Sequence, residues 1–133
     1  MYRFVFRPRT YGVKCVVEHD GKWLMIRNTY GHRYWTLPGG GVKRGESPAV
    51  AVRREVAEEV GITLREVEPL GEYLSTLHYS KDTVYCFRAS VDSSAYEIDG
   101  KEIAEARWMP PDTIPPDRGN AVNQVLRMLE TAS

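Results

Sequence analysis

The sequence has little cysteine and no long apolar run. Only two of the 133 residues are cysteines, Cys15 and Cys86, and each stands in an apolar, strand-like run. That setting indicates buried thiols in a reducing compartment and argues against a disulfide framework. No segment approaches the roughly 18 apolar residues of a membrane span, and the first residues carry no apolar run of signal-peptide length. We therefore expect a cytoplasmic protein with no membrane partner.

The sequence has no excess of positive or negative charge. It also lacks the usual motifs for a side-chain nucleophile. Lysine plus arginine total 18, as do aspartate plus glutamate, so we do not expect a nucleic-acid partner. There is no G-x-S-x-G elbow, and neither cysteine stands in an electropositive setting. His19, His32 and His78 lie too far apart in sequence for a metal-binding motif. Any catalysis must therefore come from other groups.

Apolar periodicity and turn residues predict five strands and two helices in one domain spanning residues 1–133. The predicted strands are 11–18, 22–27, 70–79, 82–91 and 103–109, and the predicted helices are 48–60 and 120–131. HDG between the first two strands is a hairpin signal, Asn120 is a candidate helix cap, and PPDTIPPD excludes regular structure. This order of elements predicts an α/β fold, a mixed sheet with helices packed on it.

The first predicted helix has clear end signals and an apolar face. Ser47 is a good N-cap, Pro48 fits the first helical position, and Gly61 is a good stop. At 3.6 residues per turn, an aliphatic residue recurs at i, i+4 and i+8 and forms the natural core face. This face consists of Val52, Val56 and Val60.

Three glutamates, Glu55, Glu58 and Glu59, share a neighbouring face of this helix. Like charges at these spacings repel, and the C-terminal half of a helix disfavours anions. One interpretation is an ordinary solvated charged face. The other is a cation site, because Mg²⁺ takes oxygen ligands and is held by a few carboxylates together with substrate phosphates. Small Ala51 would leave room for the ion, and the preceding glycine loop, LPGGG, would expose backbone groups to it.

The wider spacing resembles the signature of the Nudix hydrolases, G-x5-E-x7-R-E-U-x-E-E-x-G-U, where U is aliphatic. Every fixed position matches, between Gly40 and Ile62. The resemblance implies an α/β/α sandwich with this segment as loop, helix and loop. It also implies metal-dependent cleavage of a phosphoanhydride bond, by water attack at phosphorus, in a nucleoside triphosphate or a nucleoside diphosphate conjugate. The alternative is a non-catalytic module of the same fold that senses a nucleotide.

The resemblance also assigns roles to individual residues. Glu55, Glu58 and Glu59 would be the metal ligands, completed by the backbone around Gly39 and Gly40, and the metal would be Mg²⁺ with Mn²⁺ as a substitute. Arg54 and Glu46 resemble the pair that orients the helix acids. Glu102, which precedes an aromatic outside the signature, is the candidate for water activation or an extra metal contact, and the alternative is a solvated loop acid.

Basic and aromatic residues outside the acidic helix are candidates for binding the rest of the substrate. Arg27 and Lys43 could contact phosphate, and Tyr30 or Tyr34 could stack on a base. The two tryptophans beside these segments, at 35 and 108, are read as core residues. The implied partner is a small-molecule nucleotide, and a homo-oligomer stays open.

Overall fold

The computed structural model describes residues 10–75 and 81–132. It contains six strands, two helices and one short 3-10 turn. In chain order the elements are β1 (Thr10–His19), β2 (Lys22–Asn28), β3 (Gly39–Gly41), α1 (Pro48–Val60), β4 (Glu68–Ser75), β5 (Asp82–Ser90), β6 (Ile103–Met109), the 3-10 turn Pro111–Thr113 and α2 (Asn120–Thr131).

The predicted hairpin joins β1 to β2. Asp20 and Gly21 form its tip, with φ angles of 51° and 75°. Positive φ at both central residues is typical of the turn that matches strand twist. The two strands pair next to this turn, where His19 lies opposite Lys22 and Glu18 lies opposite Trp23. Beyond that point the two strands diverge.

Strand β3 occupies the space that this divergence opens. The sheet order is β4-β5-β1-β2-β6, and β3 pairs antiparallel with β1 along the part of its edge that β2 leaves. On its other edge β1 runs parallel to β5 along its length, while β2–β6 and β4–β5 are antiparallel. The sheet is therefore mixed, as predicted, and the glycine segment is built into it beside β1.

The two helices cover opposite faces of this sheet, as in an α/β/α sandwich. The predicted stripe of α1, at Val52, Val56 and Val60, is fully buried against alternate residues of β1 such as Cys15. On the other face, Val122 and Val125 of α2 pack in a second cluster that includes Trp23, Met25 and Cys86. Neither helix, within the described ranges, is long and apolar enough to cross a bilayer.

Four details differ from the sequence prediction. The LPGGG glycines form strand β3, because their amides and carbonyls pair with β1. The cap of α2 is Gly119 and makes no side-chain hydrogen bond, while Asn120 is already the first helical residue. The proline-rich segment includes a 3-10 turn. Ala51, expected to leave room for an ion, is buried in the apolar core of the α1 face.

Two expectations fall partly outside the described residues. Strand β4 begins at Glu68 and is described as far as Ser75, so the predicted end of that strand at 79 lies beyond the description. His78 lies in the same segment. The following strand begins at Asp82 and ends at Ser90, within one residue of the prediction.

Candidate active site

Helix α1 begins and ends where its capping residues predict. The Ser47 hydroxyl accepts a hydrogen bond from the Val50 amide at 3.2 Å, and Pro48 lies in the first turn. At the other end, Gly61 is left-handed and its N–H donates to the Ala57 carbonyl at 3.1 Å. These caps fix where the helix starts and stops, and so the direction in which each of its glutamates points.

Arg54 is the centre of a group of ion pairs. Its Nε and Nη2 donate to the two carboxylate oxygens of Glu46 at 2.6 and 2.9 Å. Its Nη1 donates to Glu55 at 3.0 Å and to Glu58 at 3.2 Å, and Nη2 also reaches the Gly41 carbonyl at 2.9 Å. Hydrogen bonding to Arg54 holds the pKa of Glu46 down at about 2. Arg54 and Glu46 are therefore paired, and Arg54 relieves the repulsion between Glu55 and Glu58. That the pair orients the helix acids for catalysis stays a prediction.

Glu59 is set apart from the other two helix glutamates by burial. It is only 8% exposed, and its Oε1 accepts the Gly39 amide at 2.8 Å. Burial raises the pKa of Glu59 to about 7, opposed by the Gly39 hydrogen bond and by Lys14, while Glu55 and Glu102 raise it further. The three acids thus do not form one solvated stripe, because Glu59 is buried against Gly39 of β3 whereas Glu58 is about half exposed.

The carboxylate of Glu55 lies against the bare backbone of Gly40 in β3. A Cβ added to Gly40 would lie 2.5 Å from Oε1 of Glu55 and 2.7 Å from its Oε2. The Glu55 side chain is 15% exposed and fits against the bare backbone. The strand and the helix acid can approach this closely only because Gly40 has no side chain.

The donor set suits a hard divalent cation. Carboxylate oxygens of Glu55 and Glu59 face the backbone of β3, and a Cβ at Gly40 would fill the cradle between strand and helix. Oxygen-only donors of this kind are typical of Mg²⁺ sites, in which several waters and substrate phosphates complete the shell. Within residues 10–75 and 81–132, no three acidic, histidine or cysteine side chains are arranged so that together they could hold a metal ion. The ligand set therefore stays a prediction.

Glu102 is the acid outside the helix whose charge reaches the site. It precedes β6, its side chain is exposed, and its carbonyl accepts the Thr29 amide at 2.9 Å. Its charge adds to the pKa rise of Glu59, which places the two carboxylates within electrostatic reach. Glu105, two residues into the strand from its start, is instead paired with Arg107 at 2.8 Å. The catalytic role of Glu102 stays a prediction.

Arg27, a predicted phosphate contact, is engaged by protein groups. It lies 3.6 Å from Glu105 and 3.8 Å from Asp117, with its guanidinium 4.3 Å from the ring centre of Trp35. Arg107 lies over the same ring at 5.3 Å. Trp35 is 3% exposed, as expected of a core residue. Among the described residues, Nε of Arg27 is buried without a hydrogen-bond partner, and the phosphate role stays a prediction.

The other predicted substrate contacts are placed at the surface. Tyr30 is 65% exposed. Tyr34 is half-buried, and its ring stacks on His32 with centroids 5.3 Å apart and an interplanar angle of 9°. The Lys43 side chain is exposed, while its amide donates to Glu46 at 2.9 Å. A flat aromatic surface and a basic side chain are thus available to a ligand, and their roles stay predictions.

Lys14 is a functional candidate that the sequence analysis did not single out. It lies in β1 between the buried residues Val13 and Cys15, and its Nζ donates to the Leu37 carbonyl at 3.0 Å. Burial lowers the pKa of Lys14, opposed first by Glu59. The available signal was a single cation inside an otherwise apolar strand, GVKCVV.

A mainly apolar cleft of about 440 Å³ adjoins the glycine strand. Gly40 and Gly41 form one side, and Tyr11 and Val84 are among the residues opposite. Tyr11 is 45% exposed and stacks on Tyr85, with ring centroids 6.1 Å apart. A larger depression, about 690 Å³, lies around the β4–β5 end of the sheet and includes none of the helix glutamates.

A family model and curated relatives both match this sequence. The model of the NUDIX domain matches residues 7–129. An RNA pyrophosphohydrolase of Saccharophagus degradans is 32% identical over 116 residues, which cover 75% of this chain and 67% of that protein. A putative 8-oxo-dGTP diphosphatase of Bacillus subtilis is 28% identical over 118 residues, covering 86% of this chain and 78% of that protein.

Solved structures agree on the fold. A MutT NUDIX hydrolase from Burkholderia pseudomallei superimposes with a TM-score of 0.84 at 23% identity, over 92% of this chain and 99% of the other. The NUDIX domain of Shewanella oneidensis NrtR, solved with ADP ribose, gives 0.81 at 20% identity, over 98% and 92%. The family model and the curated relatives together indicate a hydrolase of pyrophosphate bonds. The chain belongs to the NUDIX family.

Proposed function

We propose that this protein is a Mg²⁺-dependent pyrophosphohydrolase of a nucleoside triphosphate or a nucleoside diphosphate conjugate, with Mn²⁺ as a substitute metal. The observation that carries the proposal is the contact between helix α1 and the glycine strand. There, Glu59 accepts the Gly39 amide at 2.8 Å, and Glu55 fits against Gly40. A buried carboxylate and a bare backbone side by side suit an ion that binds oxygen donors.

The metal would be held by Glu55, Glu58 and Glu59, together with the backbone of Gly40. When bound, Mg²⁺ supplies charge neutralisation at the diphosphate and orientation of the attacking water. Arg54 has a separate task. Its bonds to Glu55 and Glu58, at 3.0 and 3.2 Å, set the direction of both carboxylates before any ligand arrives, so little reorganisation is needed on binding.

Glu102 is the proposed acceptor of the proton that the attacking water loses. Its side chain is exposed, so it can exchange that proton with solvent, and it lies within electrostatic reach of Glu59. No side-chain nucleophile is needed, and burial raises the pKa of both Cys15 and Cys86 to about 12, which keeps them as unreactive thiols.

The nucleoside or conjugate part would bind beside the glycine strand. The apolar cleft at Gly40 and Gly41, and the Tyr34–His32 stack, offer flat surfaces for a base. Arg27 and Lys43 would meet phosphate oxygens. The names of two relatives, an RNA pyrophosphohydrolase and a putative 8-oxo-dGTP diphosphatase, support a nucleotide pyrophosphate as the substrate class, and both are named as enzymes, which favours catalysis over sensing.

The test is phosphate-product release from a substrate panel, with Mg²⁺ or with a chelator. The panel holds canonical and oxidised nucleoside triphosphates, 5′-triphosphorylated RNA, ADP-ribose, nucleotide sugars and dinucleoside polyphosphates. Glu58→Gln is the diagnostic variant, because Glu58 is half exposed and an ion pair at such an exposed site contributes little to stability. We expect turnover to fall on the order of 100-fold, the scale of losing one preorganised electrostatic contact, with thermal unfolding unchanged or raised.

Glu66→Gln serves as the matched control, since Glu66 is an exposed carboxylate after the helix. Unchanged turnover in Glu58→Gln would show that the metal-site assignment is wrong. If the wild-type protein binds Mg²⁺ but releases no phosphate product from any substrate in the panel, the proposed substrate class is refuted.

A further inference from the structure

Lys14 occupies a strand position at which a lysine is costly. It stands in β1 directly opposite Gly39 of β3 and beside Cys86 of β5. The neighbouring residues Val13 and Cys15 point into the core under α1, so by strand alternation Lys14 points to the other face of the sheet. Lysine is among the residues least often buried, because its ammonium must be taken out of water. Its presence here requires a compensating partner.

The partners are backbone and side-chain oxygens that lead into the glycine strand. Nζ donates to the Leu37 carbonyl at 3.0 Å and to the Thr36 hydroxyl at 3.4 Å. The next carbonyl, of Pro38, accepts the Cys15 amide at 2.9 Å. Two consecutive carbonyls are thus held by two consecutive residues of β1. Pro38 has no N–H to donate, so these bonds hold the segment where a regular strand pairing is interrupted.

The segment that Lys14 holds is continuous with the contacts of the active site. Gly39 follows Pro38 directly, and its amide donates to Glu59 at 2.8 Å. Gly40 is next and lies against the Glu55 carboxylate. Lys14 also interacts electrostatically with Glu59 and Glu55. The Lys14 side chain therefore hydrogen-bonds to the residues just before β3. It also interacts electrostatically with Glu59 and Glu55, which contact the other side of that strand.

We propose that Lys14 is a positioning residue for pyrophosphate hydrolysis, which holds the Leu37 carbonyl so that the backbone of Gly39 and Gly40 meets the carboxylates of Glu59 and Glu55. The catalytic part of this inference rests on the proposed function. The geometric part does not, because it concerns only contacts within the chain. Lys14 itself touches neither the metal nor the scissile bond.

The test compares Lys14→Met, which removes the donors but keeps the length, with Lys14→Arg, which keeps charge and donors. Lys22→Met is the matched control, since Lys22 is an exposed lysine at the hairpin of the same sheet. Amide hydrogen exchange is followed at residues 39–41 and, for reference, at the hairpin 18–23. Hydrolysis is measured as kcat and KM on the substrate identified in the panel.

In Lys14→Met we expect exchange at residues 39–41 to accelerate at least about tenfold, as for loss of one hydrogen bond from a charged donor, while the hairpin is unchanged. We expect kcat to fall by a similar factor with KM nearly constant, and Lys14→Arg to restore both. Lys22→Met should match the wild type. If Lys14→Met does not fold, Lys14→Gln carries the same comparison.

Three outcomes would overturn the inference. Unchanged exchange at residues 39–41 in Lys14→Met shows that the lysine does not hold the strand. If amide exchange in Lys14→Met accelerates equally at the hairpin 18–23, the substitution has lowered the stability of the whole domain and has not loosened β3 alone. Faster local exchange with full kcat shows that the strand tolerates the change and that Lys14 has no part in catalysis. A wild-type protein without hydrolase activity, but with the local exchange effect, would count against the proposed function and leave the geometric inference intact.

Discussion

Replacing Glu59 by glutamine should stabilise the metal-free protein at high pH. Glu59 is 8% exposed, and burial raises its pKa from 4.5 to about 7. A raised carboxyl pKa means that the folded protein holds the proton more tightly than the unfolded chain. The contribution of Glu59 to stability is therefore greatest below pH 4.5 and is lost as pH rises from there through about 7. Glutamine resembles the protonated acid and keeps an oxygen for the Gly39 amide, so the variant avoids this loss.

The size of the effect follows from the pKa difference. A shift from 4.5 to about 7, at roughly 1.4 kcal/mol per unit, corresponds to about 3 kcal/mol. Little of this is lost to solvent screening, because the carboxylate is buried. The unfolding free energy of Glu59→Gln minus that of the wild type should therefore rise with pH. Between pH 4 and pH 8 this difference should increase by about 3 kcal/mol. Turnover with Mg²⁺ should nevertheless fall sharply.

The assay is urea denaturation in the presence of a chelator, at several pH values between 4 and 8. At each pH, the unfolding free energy of the wild type is subtracted from that of the variant. This subtraction cancels the titration of every group that does not interact with Glu59. Glu66→Gln, which removes an exposed carboxylate away from the site, should show no such trend. Added Mg²⁺ should reduce the amount by which Glu59→Gln is more stable than the wild type, because the ion would bind and stabilise the ionised wild-type site.

Two results would refute this reasoning. A pH-independent difference would mean that Glu59 titrates alike in the folded and unfolded protein, and that its burial against β3 has no electrostatic cost. A difference that falls as pH rises would mean that the attraction to Lys14 outweighs the cost of burying the charge.

Two further predictions concern the strand and the helix cap. Gly40→Ala should abolish most turnover, because its Cβ would lie 2.5 Å from Oε1 of Glu55, whereas Gly41→Ala, whose Cβ would meet nothing within 4 Å, should retain it. Steady-state kinetics, with circular dichroism to confirm folding, compares the two. Ser47→Ala removes the acceptor of the Val50 amide and should lower the unfolding free energy by about 1 kcal/mol with kcat unchanged. A lower kcat at equal stability would contradict that cap role.

Local signals predicted much of this fold. Helix α1 runs from Pro48 to Val60 as predicted, since its cap, proline and stop signals all lie within the segment itself. The hairpin at Asp20 and Gly21 is likewise fixed by its own turn residues. Strand β3 was missed, because three glycines carry no alternation and become a strand only by pairing with β1.

The candidate site was predicted in composition but not in arrangement. Helical spacing places the three glutamates on one face, yet it does not say that Glu59 is buried and Glu58 exposed. That difference depends on where β3 lies against the helix. Lys14 was missed for the same reason, because its partners, Leu37 and Thr36, are more than twenty residues away in sequence.

The arrangement of the acids is itself an argument for a bound cation. A solvated charged face would need no partners, whereas here Glu55 and Glu58 share Arg54, and Glu59 is taken out of water against the Gly39 amide. Removing Glu59 from water has a cost that no contact in the described chain fully offsets, as its raised pKa shows. A cation that binds the ionised carboxylate would offset that cost, since it would lower the same pKa. The buried acid is therefore better explained by ligand binding than by stability.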